Sequence, residues 1–378
     1  EGLKGLGTID DAIQISDTDG TIQVQSEGNL IRRLVAPDAN DANAWSRLTV
    51  DAIVAAREAS SPLGEANVER LYEAVFNASI SLLDPFSRYS SAEKASRNRE
   101  RRSGFGGIGV RFTTTQEGAR ITEVFDGAPS ARAGLKPDDL ITHVNGHPLT
   151  GVKRRNISKM IKGAVGSTVE LRLRRGTRPA AIELSIRRAR IISPTVYLQE
   201  RKNILFLRVK GFNKRTARQL SQLIASARKH RKRPISGLVL DLRSNPGGLL
   251  SQAVRVADLF LSEGRIVSTL GRHPASLHNY NAHRAELGHD LPMVILVNGR
   301  SASASEIVAA ALQDQDRALV IGSASFGKGT VQTVIPLPNK GELILTWSRF
   351  ITPSGYFLNG LGVPPFICTS LLSGTVSE

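Results

Sequence analysis

The feature that most constrains this chain is an alternation of strand-like and helix-like segments between Ile204 and Ile321. Ile204 to Val209, Gly237 to Leu242 (a buried run), Met293 to Val297 and Ala318 to Ile321 read as strands. Arg215 to Lys229, Leu249 to Leu261 and Ala304 to Gln313 read as helices between them, and Val331 to Pro336 and Glu342 to Thr352 add two strands. Strands separated by helix-length segments predict an α/β sheet with crossover helices.

Three polar, glycine-containing segments each follow one of these strands. They are Asp241 to Gly248 (DLRSNPGG), Asn298 to Ser303, and Phe326 to Gly329 (FGKG). Loops at the carboxyl ends of parallel strands gather at one sheet edge, where sites form. Parallel pairing would therefore place Ser303, Lys328 and the NPGG turn in one crevice. A serine and a lysine on neighbouring turns can act as a hydrolytic dyad without histidine, provided a dry pocket keeps the lysine deprotonated.

Ser303 opens a helix whose apolar stripe is Ala304, Ile307, Val308, Ala311 and Leu312. Its hydroxyl and the first free amides then lie at the positive helix end. The amide of Ala304 with one from Gly247 or Gly248 is suited to a developing oxyanion. The same residues also fit a plain capping box, Ser303 with Glu306, and by position Ser301 and Ser305 compete for the nucleophile's role. Lys328 alone reads as a turn lysine; an extended chain from Thr330 puts Lys328 and Gln332 on one side, with Gln332 able to hold the amine.

At 378 residues the chain is long enough for two or three domains, and 40% hydrophobic with 22% charged residues is globular composition. Its apolar runs are far too short for a membrane span. The single cysteine, Cys368, excludes an intrachain disulfide. The chain opens on Glu1, and its methionines are Met160 and Met293, so the lack of a leader peptide does not indicate the cytoplasm. A net charge of +16 is compatible with nucleic acid, an anionic membrane or acidic substrates. It is spread over Lys153-Arg154-Arg155, Arg172 to Arg178, Arg187 to Arg190 and Lys229 to Arg233, without interleaved aromatic platforms. Specific nucleic-acid binding is therefore not expected, and solvated basic faces are. His273, His278, His283 and His289 share a polar stretch that reads as a loop near the site; its spacing matches no common ligand pattern, so neither metal nor cofactor is expected, while a serine–histidine triad stays open by sequence although no histidine lies within a comparable motif.

Residues 1–102 read as mostly helical after a short polar lead, with helical spacing over Ala44 to Ala56 and Glu65 to Leu83 and a polar linker from Ser87 to Arg102. Residues 103–188 open with a glycine-rich turn entering a strand, Gly104 to Phe112 (GFGGIGVRF). There follow a strand from Ile121 to Phe125, a short helix closed by Gly134, and a strand running into the Asn145-Gly146 turn. This segment, with its run GAPSARAGLKPDDLITHVNG, resembles a PDZ domain. The likeness implies that Gly106, Gly107, Ile108 and Gly109 hold a peptide's terminal carboxylate while a strand edge pairs with the peptide.

With residues 189–378 as the α/β core, the motifs SASASEI, ALQDQDRA, FGKGTVQ and DLRSNPGG and the upstream LDPFSRYS resemble the carboxyl-terminal processing (tail-specific) protease family. The likeness covers roughly Leu82 to Val363. It implies a serine endopeptidase with a helical N-terminal region, an inserted and mostly β PDZ domain, and an α/β protease core with a central sheet. It further implies Ser303 as nucleophile, Lys328 as general base, Gln332 as the residue orienting the lysine, and an oxyanion hole from Ala304 and the NPGG turn. Substrates would be recognised by their C-terminal tails, and Asp314 would be structural. The family is commonly exported, so a periplasmic or other extracytoplasmic location is expected; an activating or adaptor protein and a homo-oligomer are compatible with it. Two positions depart from the pattern. Gly360 to Phe366 lacks an aspartate after its proline, and Lys153, Arg154 and Arg155 stand where a more acidic helix face is expected.

Overall fold

The computed structural model describes residues 1–176, 181–230, 234–283, 287–288 and 290–369, and within them the strand–helix alternation closes into a six-stranded sheet. Its order is Val196–Arg201, Ile204–Val209, Gly237–Asp241, Met293–Val297, Leu319–Gly322 and Ile367–Cys368. The first two strands form an antiparallel hairpin, and every later neighbour is parallel. Leu238, Leu240, Met293, Ile295, Val297 and Val320 are all buried, while Val239, Val294 and Leu296, which point to the other face, are half-buried. Thr216–His230, Leu250–Asp258 and Ala304–Asp314 are the helices between them. The last is buried along its whole length from Ala304 to Leu312, so it is a rigid core element rather than a surface helix.

The chain divides into two compact units, Asn98–Thr330 with Arg349–Glu378, and Glu1–Arg97 with Val331–Ser348. The first of these carries the sheet above and a second, antiparallel sheet ordered Ile182–Arg187, Thr168–Arg174, Leu140–Val144, Gly118–Val124 and Val110–Thr115. Phe105–Gly107 pairs separately with Ala189–Ile191. Ile108, Ile121, Ile141, Val144, Leu149, Val169 and Leu171 fill this domain's core, and Ile157 and Ile161 of the Arg154–Ile161 helix close it. The outer edge of Val110–Thr115 has no strand partner among the described residues.

In the other unit the helices Ala42–Ala59 and Val68–Ser81 lie where helical spacing places them. Ser60, Asn67 and Asp41 accept main-chain N–H groups at helix starts. Two expectations are corrected. The polar lead is a three-stranded antiparallel sheet, Ile13–Thr18, Thr21–Ser26 and Asn29–Val35. Its two-residue turns, Asp19-Gly20 and Glu27-Gly28, have both residues at positive φ, the geometry that suits a tight hairpin, and alternation buries Ile13, Ile22 and Val24. The Ser87–Arg102 stretch is not a linker: it holds the strand Arg88–Ser90, paired with Glu342–Ile344, and the helix Ala92–Ser103, whose Arg97 bridges Glu93 at 2.9 Å. No helix among the described residues is long and apolar enough to cross a membrane.

Candidate active site

Because Gly237–Asp241, Met293–Val297 and Leu319–Gly322 are parallel, the segments following them leave the same sheet edge. Buried Asn245 joins the first to the second. Its Nδ2 donates to the Val209 carbonyl and its Oδ1 accepts the Gly247 N–H, both at 2.9 Å, while its own carbonyl accepts from Ala302 N and Ser305 Oγ, both at 3.0 Å. Before it, buried Asp241 accepts from Arg243 Nε and Nη2 at 2.8 and 3.0 Å. That hydrogen-bonded pair raises the Arg243 guanidinium above its ordinary pKa.

The three candidate serines separate cleanly. Ser301 Oγ donates to the Leu242 carbonyl at 2.8 Å and Ser305 Oγ to Asn245, and both residues are fully buried. Ser303 is half-buried and forms a capping box with Glu306, its side chain turned to the helix start and donating to no carbonyl among the described residues. Its backbone sits at φ 57°, ψ −113°, a conformation that costs a non-glycine residue about 1–3 kcal/mol and that its surroundings must hold in place. Gly247, at φ 94°, lies against it: a Cβ there would stand 2.6 Å from the Ala302 oxygen and 2.9 Å from both Ala304 N and Ser303 Cβ. Only glycine lets the NPGG turn approach the serine this closely.

Glu306 ties the serine to the lysine segment. Its Oε2 accepts Ser303 N–H at 2.6 Å and Lys328 N–H at 3.0 Å, and its Oε1 accepts Gly327 N–H and Ser325 Oγ, each at 2.6 Å. One oxygen thus bonds both residues' backbone nitrogens, which lie no further apart than two hydrogen bonds. Glu306 is fully buried, and four donors meet its desolvation. The Phe326 N–H adds a bond to the Ser301 carbonyl at 2.9 Å. The capping-box spacing made Glu306 visible in sequence, but its bonds to Ser325, Gly327 and Lys328 are long-range, and no local pattern announces them.

Ala304 begins the helix, so its N–H has no intrahelical acceptor. Gly247 N–H is already engaged by Asn245, whereas Gly248 is exposed and its N–H donates to no acceptor among the described residues. Gln332 lies in the Glu1–Arg97 unit's portion of the chain, where its Nε2 donates to the Phe86 carbonyl at 2.6 Å, leaving Oε1 as its acceptor atom. Asp314 accepts from Ser354 N and Oγ at 3.0 and 2.6 Å, fixing the Thr352–Tyr356 turn. In that turn the Tyr356 hydroxyl is buried without a hydrogen-bond partner among the described residues. Burial, with the charges of Asp314 and Glu306, pushes its phenol up to about 12.

In the Val110–Thr115 domain, Gly106 accepts Gly163 N–H at 3.1 Å, and no Cβ fits on Gly106 or Gly109. Ser130 N–H and Oγ hold the carbonyls of Ile108 and Gly109, both at 2.9 Å, so the Gly109 N–H points away from Ser130, opposite to the Ile108 carbonyl. Of the four histidines, His273 Nδ1 accepts the Ala275 N–H, the His278 ring is tilted against that of Tyr280 with centres 6.2 Å apart, and His283 lies 3.6 Å from Asp258; His289 lies outside the described residues.

This arrangement has known relatives. The model for peptidase family S41 matches residues 203–368, and the PDZ-domain model matches 106–186. The carboxy-terminal-processing protease of Bartonella bacilliformis is 38% identical over 301 residues, which cover 79% of this chain and 69% of that protein. A probable CtpA-like serine protease of Staphylococcus epidermidis is 34% identical over 292 residues, covering 76% of this chain and 58% of that protein. Among solved structures, the photosystem II D1 C-terminal processing protease is 27% identical with a TM-score of 0.47, covering 80% of this chain and 82% of that one. The chain therefore spans some three fifths to two thirds of its bacterial relatives' length. A serine at the head of a buried helix, a glycine turn packed against it and a PDZ domain earlier in the chain agree with these matches: the chain belongs to the carboxy-terminal-processing proteases, PDZ-containing serine proteases of peptidase family S41.

Proposed function

We propose that the chain cleaves proteins with Ser303 as nucleophile and Lys328 as general base, after its PDZ domain has bound the substrate's C-terminal tail. The observation that carries this reading is the shared acceptor Glu306 Oε2, which fixes the backbones of both residues within one hydrogen-bonded unit. In the proposed reaction the neutral Lys328 amine takes the Ser303 proton as Oγ attacks the scissile carbonyl. The tetrahedral oxyanion is met by the amides of Ala304 and Gly248, since Gly247 N–H is engaged by Asn245. Collapse releases the amine product, protonated by the lysine, and water then cleaves the acyl-enzyme by the same steps in reverse. Gln332 is the residue proposed to orient the lysine, and its place four residues on in an extended chain supports that role. Gly106 to Gly109 are proposed to hold the tail's carboxylate, supported by the turning of their carbonyls towards Gly163, Phe125 and Ser130.

The test is cleavage of a protein carrying an apolar C-terminal tail. Ser303→Ala should abolish it while leaving the unfolding midpoint near that of the wild type; retained activity refutes the assignment. The pH dependence of kcat/KM should rise with an apparent pKa well below about 10.4, the free lysine value.

A further inference from the structure

The PDZ groove has two walls. One is the outer edge of Val110–Thr115, where an added strand would pair, and the other is the Arg154–Ile161 helix. The helix runs lengthwise along the glycine loop and this strand. At its C-terminal end Lys162 Nζ lies 4.3 Å from the Phe105 ring centre and Gly163 N–H bonds Gly106, while at its start the Arg154 guanidinium lies 5.9 Å from the Phe112 ring centre. If the glycine loop holds the tail's end, as proposed above, Arg154 stands at a point further up the groove. Phe112 is three residues beyond Gly109, about 10 Å along an extended chain.

Cationic side chains gather at that upstream point. The helix starts with Lys153, Arg154 and Arg155 and has no acidic residue in its first turn. Cations at the start of a helix are unfavourable to it, so their presence is not explained by the helix's own stability. Glu123 and Glu100, carboxylates of the same domain and the helix leading into it, are already paired with Arg111 and Lys162. Lys153, Arg154 and Lys159 are solvent-exposed, and none of the three has an ion pair among the described residues.

We infer that Lys153 and Arg154 select substrates whose C-terminal tails carry acidic side chains at the third and fourth residues from the end. This deepens the tail-recognition reading above and rests on it. The terminal carboxylate docks at Gly106–Gly109, the tail lies antiparallel on Val110–Thr115, and its acidic residues meet the two cations beside Phe112.

Binding of fluorescent ten-residue peptides to the full Ser303→Ala chain tests it. The peptides share an apolar last residue and carry Glu-Glu, Gln-Gln or Lys-Lys at the third and fourth positions from the end; a fourth is the Glu-Glu peptide with an amidated terminus. The Glu-Glu peptide should bind roughly tenfold more tightly than the Lys-Lys peptide at low salt, with the gap closing at high salt. The double variant Lys153→Glu, Arg154→Glu should reverse the ranking, although the chain as a whole stays strongly basic. Free-acid peptides that outbind the amide but do not differ by charge would overturn this inference and leave tail recognition standing. If amidation makes no difference, tail recognition fails and the inference fails with it. A charge preference that the double variant does not change would assign it to the chain's overall charge, against Lys153 and Arg154.

Discussion

At the scale of the residue, Ser303 keeps an unfavourable backbone because three neighbours leave it no alternative: Gly247 against its Cβ, Glu306 on its N–H, and Asn245 holding the loop on either side. Glu306→Gln would replace one carboxylate oxygen by an NH2 group facing N–H donors. Stability should fall by about 1–3 kcal/mol in urea unfolding, and kcat by on the order of a hundredfold through misplacement of the pair. Gly247→Ala should cost a similar 1–3 kcal/mol, since the new methyl would meet the Ala302 oxygen and the serine. Tyr356→Phe should act in the opposite direction. It removes a buried hydroxyl that lacks a partner among the described residues, so stability should rise by about 1 kcal/mol. The tyrosine's phenol is raised from 10.0 to about 12, so the unfolded chain loses its proton first as pH climbs between those values. Wild-type stability should therefore decline across that window by a component that Tyr356→Phe lacks, as read from denaturation at fixed pH steps.

At the scale of the element, four of the sheet's six strands and the helices between them were legible because each is long and apolar enough to show its own period, whereas polar Val196–Arg201 and the two-residue Ile367–Cys368 were not. Ile204–Val209 and Met293–Val297 stand where the sequence places them, and the serine helix differs by one residue at its end. The Ile13–Val35 sheet was missed because its alternating apolar residues are few and its strands carry many polar ones, though Asp19-Gly20 is a turn signal in plain view. Ala92–Ser103 was missed because a helix with one buried residue, Ala95, has almost no apolar face to read. In the site, Ser303 and Lys328 were visible through motif and spacing. The contacts that separate Ser303 from Ser301 and Ser305 were not, since they depend on carbonyls of Leu242 and Asn245 some sixty residues earlier. The serine helix is held by packing on all sides, so Leu312→Ala should cost about 2–5 kcal/mol by urea unfolding, far more than its distance from the chemistry suggests.

At the scale of the whole molecule, a net charge of +16 sets how partners arrive rather than what is done to them. For an acidic protein substrate, kcat/KM should fall several-fold as salt is raised from low to physiological ionic strength, with kcat nearly constant. A kcat that falls in step would place the salt effect in the chemistry instead. The central claim is that Ser303 is activated by Lys328 and by no histidine. Its most direct test is the kcat/KM of Lys328→Ala on a tail-bearing protein substrate. A loss of at least about a thousandfold with an intact fold is predicted. Activity within tenfold of the wild type would contradict it.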